Sequence, residues 1–361
     1  MAQQEIPAAT FRIVHAFPDN QLERDWRRCL ERGRYPSHYA APEFFLDPSV
    51  NRRRPFAVLA LSGGAVCGVL TGVHHGNHVT SGLGCRPQLC VDDTAERLRV
   101  AEALVLGFLA EAGSARLLDI YSWYPMDGLR SRGFQLLQDK GVVMLDLSLG
   151  RDALFKQMHG KRRNGIRYAM RQGVDVFEAS TLEHVAEYHR IHLAWCHAKQ
   201  VPPWPFEVME GAWRRKESRR LLLARVRDRI VAGAAFRFHA GGLVEYAENN
   251  SYPEAKATKA NELLVWRAVE WACQEGFRSF SLGGVHRFLQ EFGGTSVPTY
   301  RHRWDRTFLR RHDLREQVMA AGRRLLRRGP QPFESAVRWL LGKDLPEEER
   351  RRAEAERLVA R

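Results

Sequence analysis

An α/β fold built from two copies of one unit, followed by a basic helical extension, is what the sequence predicts. Three observations carry this. A strand–turn–strand pattern occurs twice, each copy runs on into an apolar-striped helix that stops at a glycine, and each helix leads into a short apolar strand. The first hairpin is FAVLALSGGAVCGVL over residues 56–70, and the second is LLLARVRDRIVAGAA over 221–235. Gly68 and Gly233 match at an offset of 165 (233 − 68).

The elements then follow in the same order in both copies. A further strand pair comes next, TGVHHGNHVTSG in the first and FRFHAGGLVEYA in the second. A helix is expected over 94–112, with its counterpart over 259–275. In the latter, Leu263, Leu264, Trp266, Ala268, Val269 and Ala272 recur at helical rather than alternating spacing. Gly113 and Gly276 end these helices, because glycine takes the left-handed closing conformation without a Cβ penalty. LLDIY at 117–121 and FRSFSL at 277–282 are the strands that follow. The helical stretch 182–198 opens the second copy, and the break after GVVMLDLSL, near residue 150, separates the copies. Domains are therefore expected at 1–150 and 151–305. Residues 306–361 make a basic helical C-terminal extension, with 15 Lys+Arg against 9 Asp+Glu, interrupted at Gly329-Pro330 and Pro346. Its last stretch, EEERRRAEAERLVAR, lacks an apolar stripe and reads as a solvated helix.

Composition narrows the function classes. The 361 residues are 44% hydrophobic and include nine Trp, enough to build packed cores rather than a disordered chain. No apolar run approaches the roughly 18 residues that a membrane span needs. The opening MAQQEIPAATFRIV has neither the basic nor the apolar region of a secretory signal. The six cysteines, at 29, 67, 85, 90, 196 and 273, include no C-x-x-C pair, so neither a structural zinc nor a disulfide framework is expected. These features point to a cytoplasmic protein. Its formal charge of +14, from 56 Lys+Arg against 42 Asp+Glu, favours a polyanionic partner.

An ordered set of motifs then carries a resemblance. LFKQMHGKRRNGIRYAMRQGVDV (154–176) holds Arg163, Ile166, Arg167, Ala169, Gly173 and Val174 in an Arg-x-x-Ile-Arg-x-Ala…Gly-Val pattern. VAGAAFRFHAGGLVEYAENNSYPEA (231–255), ELLVWRAVEWACQEGFRSFSLGG (262–284) and FLQEFGG (288–294) follow in order. This set resembles the Fem-type (FemABX-like) aminoacyltransferases and their BioF2-like acyltransferase cousins of the GNAT superfamily, well over 150–305 and more loosely over 40–125. The resemblance implies tandem duplicated GNAT-like (acyl-CoA N-acyltransferase) domains, an α/β fold that agrees with the duplication read from the residues. It also implies a transferase that joins an activated acyl group to an amine. One position departs from the pattern. Leu289 stands where the family has a Lys that helps bind phosphate or stabilise charge near the transfer site, and Arg287 or His286, in the same loop, is a substitute for it.

The residues themselves suggest where chemistry sits. Lys161, Arg162, Arg163, Arg167 and Arg171 form a dense basic row, with Arg163, Arg167 and Arg171 one helical turn apart. Such a row either binds a phosphorylated substrate through guanidinium forks or is a solvated basic face; the resemblance favours binding by Lys161, Arg163 and Arg167. Glu245 and Glu248, with Tyr246 and Asn249-Asn250-Ser251, offer a place for a group that accepts the amine's proton, or an ordinary polar strand end. Glu248 is the catalytic candidate, with Tyr246 and Asn250 as substrate-binding neighbours. Gly283 and Gly284 can bring backbone N–H groups close to a ligand, because no Cβ obstructs approach. Phe288 and Phe292 are expected to pin that loop, with Phe288 at the substrate and Arg287 projecting outward. His74, His75 and His78 lack a further ligand at usable spacing, and no metal is expected. No G-x-S-x-G elbow is present, and Cys196-His197 reads as core.

No cofactor is implied beyond the acyl donor itself. Aminoacyl-tRNA is the preferred donor, because +14 attracts a polyanion. Acyl-CoA is the alternative, disfavoured because neither helix is preceded by the glycine-rich turn with which GNAT enzymes cradle a pyrophosphate. A non-enzymatic nucleic-acid-binding protein is the third reading, although no helix-turn-helix or zinc finger supports it. The acceptor is an amine on a peptide, a cell-wall precursor or an amino sugar.

Overall fold

The computed structural model describes residues 10–50 and 53–326. In the first half the elements run β1 (Thr10–Val14), α1 (Asn20–Arg32), β2 (Arg54–Ser62), β3 (Ala65–His75), β4 (His78–Ser81), β5 (Leu89–Val91), α2 (Arg97–Ala112), β6 (Leu117–Ser122) and β7 (Gln135–Asp146). The second half opens with α3 (Arg151–Gln157), α4 (Gly160–Arg171), β8 (Val174–Glu178), α5 (Leu182–Lys199) and α6 (Phe206–Arg214). It continues with β9 (Arg219–Val226), β10 (Arg229–Phe238), β11 (Leu243–Ser251), α7 (Glu254–Thr258), α8 (Ala260–Gln274), β12 (Ser279–Gly284), α9 (Arg287–Gln290) and β13 (Thr295–Asp305). Gly113 (φ 51°) and Gly276 (φ 73°) close α2 and α8 at the expected positions.

The strands form one sheet in the order β1-β2-β3-β4-β6-β13-β7-β12-β11-β10-β9-β8, with β5 on β3. Each half is a meander that ends in a parallel pair. His78–Ser81 pair with Leu117–Ile120 in the first, and Leu243–Glu245 with Ser279–Ser281 in the second. The centre of the sheet is an exchange. β7, the last strand of the first half, pairs with β12 of the second, while β13, the last strand of the second half, lies between β6 and β7. Residues 1–150 and 151–305 thus do not stand as two separate bodies, because each half gives its last strand to the other's sheet. The chain up to Trp304 is one compact unit, and a second unit begins at Asp305. In that second unit α10 spans Arg311–Leu326, and the Asp305 carboxylate accepts the N–H groups of His312 and Asp313 at its start. Gly329-Pro330, Pro346 and the final charged stretch lie outside the described residues.

The duplication holds, but the glycine match does not mark its register. Both hairpins turn through two residues, with Ser62 opposite Ala65 and Val226 opposite Arg229, an offset of 164 (226 − 62). Ala60 opposite Gly68 corresponds to Ala224 opposite Ala232 by the same count (232 − 68). A Cβ on Gly68 would point at Val100 of α2, whereas one on Gly233 would point at Tyr188 of α5. Side chains alternate faces along a strand, so an offset wrong by one residue turns the position to the opposite layer.

Alternation also sets the layers. Phe56, Val58 and Ala60 pack under α2, while Ala57 and Leu59 pack under α1. In the second half Leu222 and Ala224 join the core beneath α8 and α4, while Leu221 and Leu223 meet Tyr188 and Val185 of α5.

Candidate functional site

The face of the second half beneath α5 and α6 is incompletely filled and holds a cavity of about 400 Å³. Its walls are Tyr188 of α5, Met209 and Trp213 of α6, Trp204 before it, and Phe236 of β10, with Tyr39 contributed by the first half. β11 supplies the polar edge. Ala235 lies opposite Glu248 and Phe236 opposite Tyr246, so Ala247 has no partner on β10. This bulge re-aims the strand, and both Ala247 and Glu248 line the cavity. On its other side β11 pairs with β12 only as far as Glu245 and Ser281, so the backbone beyond Glu245 has no neighbouring strand there.

Glu248 is held by three side chains. Asn250 Nδ2 donates to its Oε1, Tyr188 Oη donates to the same oxygen at 3.4 Å, and His192 Nδ1 lies 2.9 Å from it. The Trp204 backbone N–H donates to His192 Nε2 at 2.9 Å, so that nitrogen carries the lone pair. The Nδ1 proton therefore faces Glu248. Burial, reinforced by the Glu248 charge, raises the Tyr188 phenol well above its ordinary range. Tyr188 stays protonated, donating to Glu248 while it accepts from Asn250 Nδ2 at 2.8 Å. Glu248 itself is about a quarter exposed (28%), open to a ligand on the cavity side.

The opposite wall is an ion-pair lattice. Asp47, only 1% exposed, accepts from His38 Nε2 at 2.8 Å and pairs with Arg219. Burial opposes ionisation of Asp47, but the Arg219 charge and the hydrogen bonds from His38 and Ser49 outweigh it and hold the carboxyl far below the carboxylate range. Burial, joined by the Arg219 charge, lowers the His38 imidazole below its ordinary range. Arg237 bonds Glu245 through Nε at 2.9 Å and lies 4.3 Å over the Tyr39 ring. Glu245, offered by the sequence beside Glu248, is thereby fixed as the buried counter-charge of Arg237.

The other sequence-predicted residues lie elsewhere. Tyr246 packs its ring on Phe236 in the core beneath α8, the face opposite Glu248. Gly283 (φ 91°) donates its N–H to Ser281 Oγ at 3.3 Å, and a Cβ there would come within 3.1 Å of the Arg86 guanidinium; Gly284 follows it at the end of β12. Arg287 is 86% exposed and pairs with Glu291 at 3.0 Å. Phe288 lies under the guanidinium of Arg162, 4.3 Å away, and against Phe292. The basic row divides. Lys161 and Arg167 are exposed, Arg163 donates to the carbonyls of Lys156 and Met158, and Arg162 is buried between Glu262 (2.9 Å) and Glu291 (2.7 Å). Arg163 and Arg167 share a shallow groove with Phe155 and Trp266. His74 and His78 bond Glu111 and Asp119, at 2.7 and 2.9 Å. Sequence reasoning missed Tyr188, His192, Asp47 and Arg219; the polar residues on the predicted helix 182–198 were the one available signal for the first two.

Residues 160–292 match the acetyltransferase (GNAT) domain family model. No curated protein matches the sequence. Solved structures share the architecture. The crystal structure of FemX superposes with a TM-score of 0.62 at 11% identity, over 81% of this chain and 97% of that one. L-PGS from Bacillus licheniformis gives 0.52 at 12%, over 81% and 93%. A tandem GNAT protein from the clavulanic acid biosynthesis pathway gives 0.54 at 13%, over 82% and 99%. The resemblance to Fem-type and GNAT acyltransferases and the tandem GNAT-like fold are both borne out, at low sequence identity. Among the described residues no helix is long and apolar enough to cross a membrane.

Proposed function

We propose that the protein transfers an aminoacyl group from aminoacyl-tRNA to an amine on a peptide, cell-wall precursor or amino sugar, with Glu248 as the proton acceptor. The observation that carries the acyl-transfer reading is the carboxylate at the cavity wall, fixed by His192, Tyr188 and Asn250. An amine attacks a carbonyl only as the free base, and a positioned carboxylate takes its proton as the C–N bond forms. The ester C–O bond then breaks, and the ribose oxygen of the tRNA leaves with the proton that Glu248 took from the amine, which restores the carboxylate. Three donors to Glu248 orient it while one side stays open, which suits a group that must receive a proton from a bound ligand. An activated ester needs positioning and oxyanion stabilisation rather than a nucleophilic triad, and the unpaired edge of β11 beyond Glu245 offers backbone donors.

The choice of donor rests on the two helix starts where a GNAT-like fold would receive a pyrophosphate. α8 begins after Lys259 and carries the buried Glu262 carboxylate in its first turn, bonded to Arg162. α2 begins at Arg97 after the N-cap Glu96, with Asp93 three residues before that. A helix N-terminus favours anions; here each start carries a carboxylate of the chain that is paired with an arginine, Glu262 with Arg162 and Glu96 with Arg99, and no glycine-rich turn precedes it. The net charge of +14 supports a polyanionic donor.

The test is amide formation from a charged tRNA pool and an amine acceptor. A tRNA-dependent amide is expected, with tRNA binding that weakens steeply as salt rises. Saturable acyl-CoA turnover with no tRNA-dependent product would overturn the donor, and full activity of Glu248→Gln would overturn the role of the carboxylate.

A further inference from the structure

The second unit, which begins at Asp305, presents apolar side chains to water. Among the described residues five large apolar side chains are more than half exposed, and four of them lie within eleven residues: Phe308 (76%), Leu309 (72%), Leu314 (55%) and Val318 (62%). Apolar residues exposed singly need no explanation, but a cluster marks an interaction surface. Leu314 and Val318 are four apart on α10 and share one face, and the sequence continues that spacing at Ala321 and Leu325. Phe308 and Leu309 sit in the single turn, Phe308–Arg310, that precedes the helix. Leu309 (φ 56°) and Arg310 (φ 49°) are both left-handed there. Two consecutive non-glycine residues in that region are strained, and neither Phe308 nor Leu309 is buried in return.

Arginine surrounds this surface. At about 100° per helical residue, Arg311 and Arg315 border the stripe of Leu314 and Val318, and both are exposed. Glu316 falls on the far side, and the Asp313 carboxylate is paired with Arg310 at 2.8 Å. Residues 305–328 hold eight arginines and no lysine against three acidic residues. Such a surface calls for a partner that is anionic and apolar at once. RNA supplies the charge but offers no apolar layer for Leu309, Leu314 and Val318. The stretch QPFESAVRWLLGKDL (331–345) of the same chain is apolar enough to cover them, but its two Lys+Arg and two Asp+Glu cancel, so it brings nothing to the arginines. An anionic bilayer supplies both, phosphates at the headgroup level and acyl chains just beneath.

We propose that Phe308–Val318 docks the protein on an anionic lipid surface, with Phe308, Leu309, Leu314 and Val318 entering the acyl boundary and Arg311 and Arg315 meeting lipid phosphates. Guanidinium forks bind phosphate oxygens bidentately. α10 then lies in the plane of the interface, since no described helix is long and apolar enough to cross it. None of these residues lines the cavity beside Glu248, so the assignment stands apart from the reaction proposed there.

Co-sedimentation of the full chain with phosphatidylcholine vesicles, with and without about one-third phosphatidylglycerol, tests it. Partitioning onto the anionic vesicles should exceed that onto the neutral ones about tenfold and weaken as salt rises. Phe308→Ser and Leu309→Ser, made together, should weaken binding about tenfold, as should Leu314→Ser with Val318→Ser. Arg311→Gln with Arg315→Gln should remove most of the preference for anionic lipid. All six side chains are exposed, so these variants should keep the parent melting temperature. Unchanged binding in both apolar pairs would leave a merely basic surface, fit for RNA, and would overturn the proposal. Failure to partition onto the anionic vesicles would overturn it as well, and sedimentation would then assign the apolar face to a second copy (a dimer) or to 331–345 (a monomer).

Discussion

The two halves share strand order and second helix, yet they treat the other face of the sheet in opposite ways. Beneath α1 the first half is packed solid, with Trp26, Cys29 and Leu30 against Ala57, Leu59 and Val69. Trp26 is fully buried and gives its indole N–H to the Ala40 carbonyl at 2.8 Å. Beneath α5 the second half sets Tyr188 and His192 against a bulged strand and leaves about 400 Å³ open. One unit, used twice, gives a filled core where apolar side chains meet and a cavity where polar groups satisfy one another. The difference lies in a few side chains and one bulge, because backbone hydrogen bonding is common to both.

The largest expected effect probes the open half. Glu248→Gln keeps the shape and removes the proton acceptor, so kcat for amide formation should fall about 10²- to 10⁴-fold with little change in KM. Loss of KM alone would make Glu248 a binding residue. Next comes the wall between the halves. Asp47→Asn strips the buried counter-charge of the incompletely buried Arg219 and should destabilise the fold by up to about 3 kcal/mol, below the cost of breaking a fully buried pair; chemical denaturation measures it. Gly68→Ala then checks the register of the copies. Its methyl would sit 2.3 Å from a Val100 methyl, a cost of about 1–3 kcal/mol, whereas Ala232 already carries the methyl at the matching position. An unchanged melting temperature would break the 164-residue match.

Acid should weaken the structure in two windows. Burial, only partly offset by Glu43, lowers His239 to about 4 from 6.5, so the unfolded chain binds more protons between those values and stability falls as pH drops through them. Asp47, depressed in the fold, adds a further loss below about pH 4, where the unfolded carboxyl protonates first. Melting curves should show the upper loss flattened in His239→Asn and the lower one in Asp47→Asn. The smallest effect is expected at Arg287. Arg287→Ala should shift stability by less than about 0.5 kcal/mol, because exposed pairs contribute little. A fall in kcat without that shift would give Arg287 the charge-stabilising role that Leu289 cannot fill.

Much of the architecture is determined by the sequence alone. Helical spacing at Leu263, Leu264 and Trp266, glycine stops at 113 and 276, and two hairpins of alternating apolar residues specify local structure, which depends only on neighbours along the chain. Glu248 and Asn250 were also legible, in the polar run that ends a strand whose start reads apolar. Tertiary structure decided the rest. The exchange of β7 and β13 depends on pairing between strands far apart in sequence, and hydrophobic alternation is blind to which neighbour a strand takes. The basic row shows the same limit. Arg162 and Arg163 are adjacent and chemically identical, yet the first is buried between two carboxylates and the second caps a helix end. Asp47 and Arg219 lie 172 residues apart, and the sequence marks neither, because a buried ion pair is specified by two partners meeting and not by either one alone.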